Sequence, residues 1–145
     1  MMNKEQIFNI LYDKEKWDVW HKFQEIEKSI EEIEYLYQYF EDFQNMLLDK
    51  NSAVKMRGFR IICKLSKWDK KNKIENVIDN LLKVLDDDKP TIVRQCLSVI
   101  DYLLLYKPEL SEKIKYQLEQ TDYSKYKDSM KPLIKKDIDS ILKKL

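Results

Sequence analysis

The strongest constraint on the fold is an internal repeat with an offset of 39 residues. The segment 46–65 matches part of the segment 81–104, and the aligned positions are mostly apolar. The first copy contributes Met46, Asp49, Val54, Lys55, Gly58, Ile61 and Leu65, and the second contributes Leu85, Asp88, Val93, Arg94, Leu97, Ile100 and Leu104. This spacing is typical of stacked helix pairs, because one pair is too small to bury its apolar face alone.

Composition favours an all-α fold in a single domain that spans residues 1–145. The chain has one Gly and three Pro among 145 residues, which argues against a fold with many β-turns. Hydrophobic periodicity predicts eight helices in four pairs, joined by short loops. No Gly/Ser/Pro-rich linker interrupts the pattern, so we expect no second domain.

Several helix boundaries can be predicted from capping residues. Asn3 with Gln6 should form a capping box that opens the first helix, and Ser29 with Glu32 should form another. Residues 14–48 could instead form one long bent helix. Ser52 is a plausible N-cap, and the proline at 90 suits the first turn of a helix. Pro132 should kink or split the last helix near Lys131.

Gly58 lies in the middle of a predicted helix, where glycine costs about 1 kcal/mol relative to alanine. Two explanations stay open. The position is either a close helix–helix approach that excludes a larger side chain or a kink.

Two sequence segments resemble the signature of HEAT repeats, particularly short bacterial HEAT-like repeat proteins. They are VLDDDKPTIVRQCL and, in weaker form, LLDKNSAVKMRG. The resemblance implies a right-handed α-solenoid of about four HEAT-like helix pairs that binds proteins on its concave, second-helix face. It also implies a structural ladder of charged residues in successive repeats. In this ladder Asp49 and Asp88 would pair with Lys55 and Arg94 of their own or adjacent repeats.

Charge is unevenly distributed along the chain. Residues 1–49 hold 5 Lys and 12 Asp+Glu, a net charge of −7, and residues 50–145 hold 22 Lys+Arg and 14 Asp+Glu, a net charge of +8. Solvated helix faces are the ordinary explanation. The alternatives are an acidic partner at the basic end or weak self-association of the chain.

Two basic rows are candidate partner-binding surfaces. The first row consists of Arg57, Arg60, Lys64 and Lys67, and the second of Lys127, Lys131 and Lys135. The first row includes two arginines, which can bind carboxylates in a forked geometry. We therefore expect a non-enzymatic scaffold that holds an acidic protein segment. Replacement of Arg57, Arg60 and Lys64 by Glu should abolish binding and leave melting unchanged.

DNA binding is the alternative function. HEAT-repeat proteins of the alkylated-base glycosylase type use an acidic residue and aromatic residues in the concave groove. The corresponding residue types here are Trp17, Asp18, Trp20, Trp68 and Asp69. Helix capping is the ordinary explanation for the two aspartates, and the net charge of +1 gives a weak electrostatic footprint for nucleic acid.

The sequence contains no motif for a metal site, a cofactor site or a catalytic histidine. Cys63 and Cys96 lack ligand spacing and are expected to be buried free thiols, while the lone His21 has no catalytic companion. We predict neither a metal nor a cofactor. Unpaired thiols fit a reducing cytoplasm. The absence of a signal-peptide core or a long apolar run predicts no membrane segment.

Overall fold

The structure, a computed structural model, describes residues 2–14 and 16–145, and for residues 16 and 17 it describes the backbone alone. These residues form helices and no strand, which confirms the predicted all-α class. The α-helices are α1 (Lys4–Leu11), α2 (Lys16–Glu32), α3 (Phe40–Met46), α4 (Ser52–Leu65), α5 (Lys73–Lys83), α6 (Pro90–Leu97), α7 (Ile100–Tyr106), α8 (Ser111–Gln120) and α9 (Lys131–Leu142). Short 3₁₀ turns lie at Tyr35–Tyr39, Ser66–Trp68, Val84–Asp86 and Pro108–Leu110.

The described helices follow one another as pairs. The first helices are α1, α3, α5 and α8, and the second helices are α2, α4, α6 with α7, and α9. The second helices contact each other in chain order, with α2 on α4, α4 on α6, and α6 on α9. Within the described residues the predicted eight helices are present, and the second helix of the third pair is interrupted at residues 98–99, so that it consists of α6 and α7.

A hydrophobic cluster runs through these pairs from Ile7 to Ile141. Val54 and Val93, aligned by the repeat, are 1% and 0% exposed, so both copies of the motif point into the core as predicted. Burial of each such side chain contributes roughly 1.5–3 kcal/mol relative to exposure.

Gly58 marks a close approach between α3 and α4. A Cβ atom at this position would lie 2.8 Å from Met46 Cβ and 3.1 Å from the Phe43 carbonyl oxygen. Neither atom is the end of a flexible side chain, so a larger residue would push the helices apart. Of the two explanations offered by the sequence, close packing is the one the structure supports.

Capping chemistry explains where some helices begin. Asn3 Oδ1 accepts from Gln6 N, and Gln6 Oε1 accepts from Asn3 N, both at 2.9 Å, so the predicted capping box is confirmed. Asn51, rather than Ser52, caps α4 through a 3.1 Å hydrogen bond from Val54 N.

The structure decides three predictions about where helices begin and end. The helix predicted to begin at Ser29 is wrong, because Ser29 lies inside α2 and its hydroxyl donates to Ile26 O at 2.7 Å. The single long helix over 14–48 is also wrong, since α2 ends at Glu32. Pro132 neither kinks nor splits a helix, because residues 121–130 are not helical and α9 begins at Lys131 with the proline in its first turn.

Candidate functional site

Arg57 and Arg60 of the first basic row are buried instead of exposed, with exposed fractions of 6% and 9%. Arg57 Nη1 donates to the backbone oxygens of Leu11 at 2.9 Å and Asp13 at 2.7 Å. It thereby binds the C-terminal end of α1. Burial lowers the pKa of the Arg57 guanidinium below its ordinary value, and the Asp13 charge opposes that shift.

Arg60 joins three successive second helices. Its Nε and Nη2 donate to the two carboxylate oxygens of Glu27 on α2, at 2.9 and 3.1 Å. Its Nη1 donates to Gln95 O at 2.7 Å and to Ser98 Oγ at 2.8 Å, at the end of α6. Glu27 is 3% exposed, so this bidentate pair is largely shielded from water, where charge-assisted hydrogen bonds are strong.

The same guanidinium explains the interruption between α6 and α7. In a continuous α-helix, Val99 N would donate to Gln95 O. Instead, Val99 N donates to Cys96 O at 3.2 Å, and Gln95 O accepts from Arg60 and from Ser98 Oγ. Arg60 therefore takes the acceptor that continuation of α6 would need.

Lys64 and Lys67, the other members of the first row, also face α2. Lys64 Nζ lies 3.9 Å from Glu27 Oε2 and 5.3 Å from the centre of the Tyr102 ring. Lys67 Nζ donates to Glu31 O at 2.6 Å. The Tyr102 hydroxyl donates to Glu31 Oε1 at 2.6 Å, and this hydrogen bond raises the pKa of Tyr102 to about 12.

The first basic row thus holds an acidic segment of the chain itself, the α2 helix with Glu27 and Glu31. A Glu at position 60 would face the Glu27 carboxylate. The expectation that a triple replacement by Glu would leave melting unchanged therefore no longer holds. Partner binding by the exposed Lys67 stays a prediction.

The second basic row does not form one continuous stripe. Lys127 lies in the connection before α9, because the helix begins only at Lys131. Lys131 Nζ is 3.2 Å from Asp128 Oδ1, and Lys135 Nζ is 2.7 Å from Asp139 Oδ2. These local pairs sit at exposed positions, where ion pairs contribute little to stability.

The cations of the predicted ladder find partners one layer further along the chain. Lys55 Nζ lies 3.3 Å from Asp87 Oδ2, not from Asp88. Arg94 Nε lies 2.7 Å from Asp137 Oδ2 on α9. Cross-layer pairing is therefore present, but the sequence alignment selected the wrong carboxylates because the turn at 86–88 offers three consecutive aspartates.

The two predicted ladder carboxylates have other roles. Asp49 Oδ1 accepts from Asn51 N at 2.8 Å and closes the turn before α4. Asp88 lies 3.5 Å from Lys125 Nζ, and its side chain is 98% exposed. The predicted pairing of Asp49 and Asp88 with Lys55 and Arg94 is thus wrong.

Trp68 and Asp69, which the DNA alternative requires, support helix ends. Trp68 Nε1 donates to Ile30 O at 2.6 Å at the end of α2. The Asp69 carboxylate accepts from Lys73 N at 2.9 Å and Ile74 N at 3.0 Å. It therefore caps α5 from within the fold, where it is 4% exposed.

Asp69 also belongs to a buried cluster that ties three helix pairs together. The Tyr37 hydroxyl donates to Asp69 Oδ1 at 2.6 Å, and Lys107 Nζ lies 3.1 Å from Asp69 Oδ2 and 3.2 Å from Glu75 Oε1. Burial alone would raise the pKa of the Asp69 carboxyl, but hydrogen bonds from Tyr37, the α5 amides and Lys107 bring it below its ordinary value. These contacts give Asp69 a structural role.

The remaining residues of the DNA alternative lie elsewhere. Asp18 is exposed and lies 3.4 Å from Lys22 Nζ. Trp20 is half-buried beside Arg60, and the Trp17 side chain lies outside the described residues. Asp18 and Ile30, the contact of Trp68, are separated by about 18 Å along α2. The two Trp–Asp pairs are therefore not brought together.

Both cysteines are buried free thiols, as predicted. Burial raises the pKa of the Cys63 and Cys96 thiols, which keeps them protonated and unreactive. Among residues 2–14 and 16–145, no group of three His, Cys, Asp or Glu side chains is placed to hold a metal. Within the same ranges, no helix has the length and apolar character needed to cross a bilayer.

A groove of about 410 Å³ lies between α6–α7 and α9. Its ends are closed by two ion pairs, Arg94 with Asp137 at 2.7 Å and Lys144 with Asp101 at 2.8 Å. The remaining polar lining residues are Gln95, Ser98 and Ser140. This groove was not predicted from the sequence, although residues 137, 140 and 144 follow helical spacing beside the apolar stripe of α9.

Comparison with known proteins places the chain in a family. A family model described as Cnd1, non-SMC mitotic condensation complex subunit 1, matches residues 28–145. No curated protein and no solved structure gives a significant match. The matched range covers α3 to α9 and the end of α2, and the family contains HEAT repeats, in agreement with the resemblance seen in the sequence. The chain therefore belongs to the Cnd1 family of non-SMC mitotic condensation complex subunit 1 proteins.

Proposed function

We propose that this protein is a non-enzymatic scaffold subunit that holds an acidic protein segment in the groove between α6–α7 and α9. The helix pairs would form a single right-handed solenoid, with the groove on its concave face. Membership of a family described as a complex subunit supports a protein-binding role. The observation that carries the proposal is the open groove itself, beside which two exposed lysines, Lys136 and Lys143, lie close to the lining residue Ser140.

The α9 rim supports an acidic ligand. Ser140 lines the groove, and Lys136 and Lys143, four residues before it and three after it, lie next to Ser140 on the side away from the groove. Both lysines are exposed, and neither forms an ion pair within the described part of the chain. Exposed cations at an interface rim steer a negatively charged partner and raise its association rate.

The lining and the length of the groove suit a short extended peptide segment. Leu97 and Ile141 are 4% and 5% exposed and provide apolar contact, while Gln95, Ser98 and Ser140 offer hydrogen-bonding groups for a peptide backbone. Residues 94 to 101 span about 10 Å, the length of roughly three extended residues. The Arg94–Asp137 pair, at 2.7 Å, links the two walls of the groove at one end.

A charge-reversal experiment tests the proposal. We would capture partners from native cells with the wild-type protein and with a Lys136→Glu/Lys143→Glu variant, and quantify them by mass spectrometry. The matched control is Lys70→Glu/Lys115→Glu, which changes two exposed lysines outside the groove by the same charge. We expect loss of the captured partner for the groove variant alone. Equal capture by all three proteins would refute the site.

Nucleic acid binding stays the less favoured alternative, and cytoplasmic location stays a prediction from the sequence. A gel shift with alkylated or abasic duplex over a salt series tests the first, because phosphate contacts weaken steeply with salt. Imaging of a tagged protein tests the second. The likeness to short bacterial HEAT-like proteins also stays a prediction, since the matched family does not address it.

A further inference from the structure

The connection between α2 and α3 contains no helix-breaking residue. Helix α2 ends at Glu32, residues 33 and 34 leave the helix, and a 3₁₀ turn leads directly into α3. Residues 29–43 include neither Gly nor Pro. A 3₁₀ stretch between two helical segments often marks a hinge or a strained sequence. Tertiary contacts, rather than local sequence, must therefore end α2 at this point.

Two side chains from the end of α4 supply those contacts. Trp68 Nε1 donates to Ile30 O, and Lys67 Nζ donates to Glu31 O, both at 2.6 Å. In a continuous helix these two carbonyl groups would accept from the backbone N–H groups of residues 34 and 35. These two carbonyl groups can therefore accept either from Trp68 and Lys67, as in the observed structure, or from the backbone of a continuous helix.

The surface that α2 covers is complementary to it in shape and charge. Phe23, Ile26 and Ile30 of α2 are at most 2% exposed, and Glu27 forms its buried ion pair with Arg60 of α4. These contacts require that an α2 helix covers each α4 helix. They form equally well when the two helices belong to different molecules of this protein. Exchange of an identical element between copies preserves every such contact.

We propose that α1 and α2 exchange between two copies of this chain when residues 33–39 become helical. The product is a domain-swapped dimer in which α2 of each copy covers α4 of the other. A helix running from residue 16 to residue 46 would be about 46 Å long and would carry α2 away from its own α4. Short connections between packed elements favour such exchange. The Trp68 and Lys67 hydrogen bonds hold the monomer closed.

A charge-swap pair tests the exchange. Glu27→Arg and Arg60→Glu each place like charges together in the monomer and in a dimer of identical copies. A mixed dimer restores an opposite-charge pair in both interfaces. Because either variant alone can fail to fold, the two are co-refolded from denaturant at high protein concentration and weighed by native mass spectrometry. The Glu27→Arg/Arg60→Glu double variant is the folding control: it restores the opposite-charge pair within one chain and, like the mixed dimer, has at least one copy of α4 without the Arg60 donations to Gln95 O and Ser98 Oγ.

We expect the mixture to give a one-to-one dimer of the two variants, and the double variant to fold. A folded double variant together with no mixed dimer would overturn the proposal. The mixed dimer should disappear when both copies also carry Glu34→Pro. Glu34 has φ −85°, close to the range of proline, so the closed monomer tolerates this change while the continuous helix does not. Persistence of the mixed dimer would show that it forms without helix continuation.

A second variant tests the hinge contacts directly. Trp68→Phe removes the indole donor and keeps an aromatic ring in place. Loss of one hydrogen bond per hinge should shift the opening equilibrium roughly five-fold, or about 25-fold for the two hinges of a dimer. Sedimentation equilibrium measures this as a lower monomer–dimer dissociation constant. An unchanged or higher constant would contradict the role of Trp68.

Discussion

Replacement of Arg60 by Met should cost this protein a large part of its stability. Removal of one partner from a buried ion pair typically costs 3–5 kcal/mol, because the other charge is left without compensation. Here the remaining charge is Glu27, which is 3% exposed, and the other cation that the described residues place near it is Lys64, at 3.9 Å. Met keeps an apolar stem, so packing loss is small. We expect a decrease of about 4 kcal/mol in the free energy of unfolding.

Urea denaturation followed by circular dichroism measures this decrease. Lys136→Met is the matched control, since it removes an exposed cation and should change stability by no more than about 0.5 kcal/mol. The double variant Glu27→Met/Arg60→Met should recover most of the loss, because a buried pair can often be replaced by apolar residues. A loss below about 1 kcal/mol for Arg60→Met would show that the arginine behaves as an ordinary surface residue and would refute the reasoning.

Other substitutions and conditions give further predictions. Gly58→Ala should destabilise the protein by about 1–3 kcal/mol, measured by denaturation, since overpacking against Met46 outweighs the gain in helix propensity. Because the pKa of Asp69 is lowered in the folded state, its ionised carboxylate stabilises the fold at pH values above the ordinary aspartate pKa. This stabilisation is lost as the pH falls below about 4. Stability measured against pH should therefore fall less in an Asp69→Asn variant than in the wild type. Cys63 and Cys96 should react with a thiol reagent only at the rate of unfolding, and fast labelling would contradict their burial.

The helical class and the stacking order could be predicted because they depend on local patterns. Apolar periodicity and the 39-residue offset identify the faces that α4 and α6 bury. The end of α2 could not be predicted, because it depends on Trp68 and Lys67, more than thirty residues away. The interruption between α6 and α7 has a similar long-range cause in Arg60.

The binding site was harder to predict than the fold for a physical reason. A row of cations at helical spacing looks the same in sequence whether it faces solvent or another helix. The burial of Arg57 and Arg60 depends on where α1 and α2 pack, and no local pattern contains that information. The acidic character of residues 1–49 was the available signal for an internal partner. The basic row was instead predicted to bind an acidic segment of another protein.

Nuclear magnetic resonance of the Arg60 side chain tests the stacked arrangement most directly. Its Nε and Nη protons should exchange slowly with water and show nuclear Overhauser contacts both to Glu27 on α2 and to Ser98 at the end of α6. Fast exchange, or contacts to α2 without contacts to α6, would mean that α4 does not lie between these two helices.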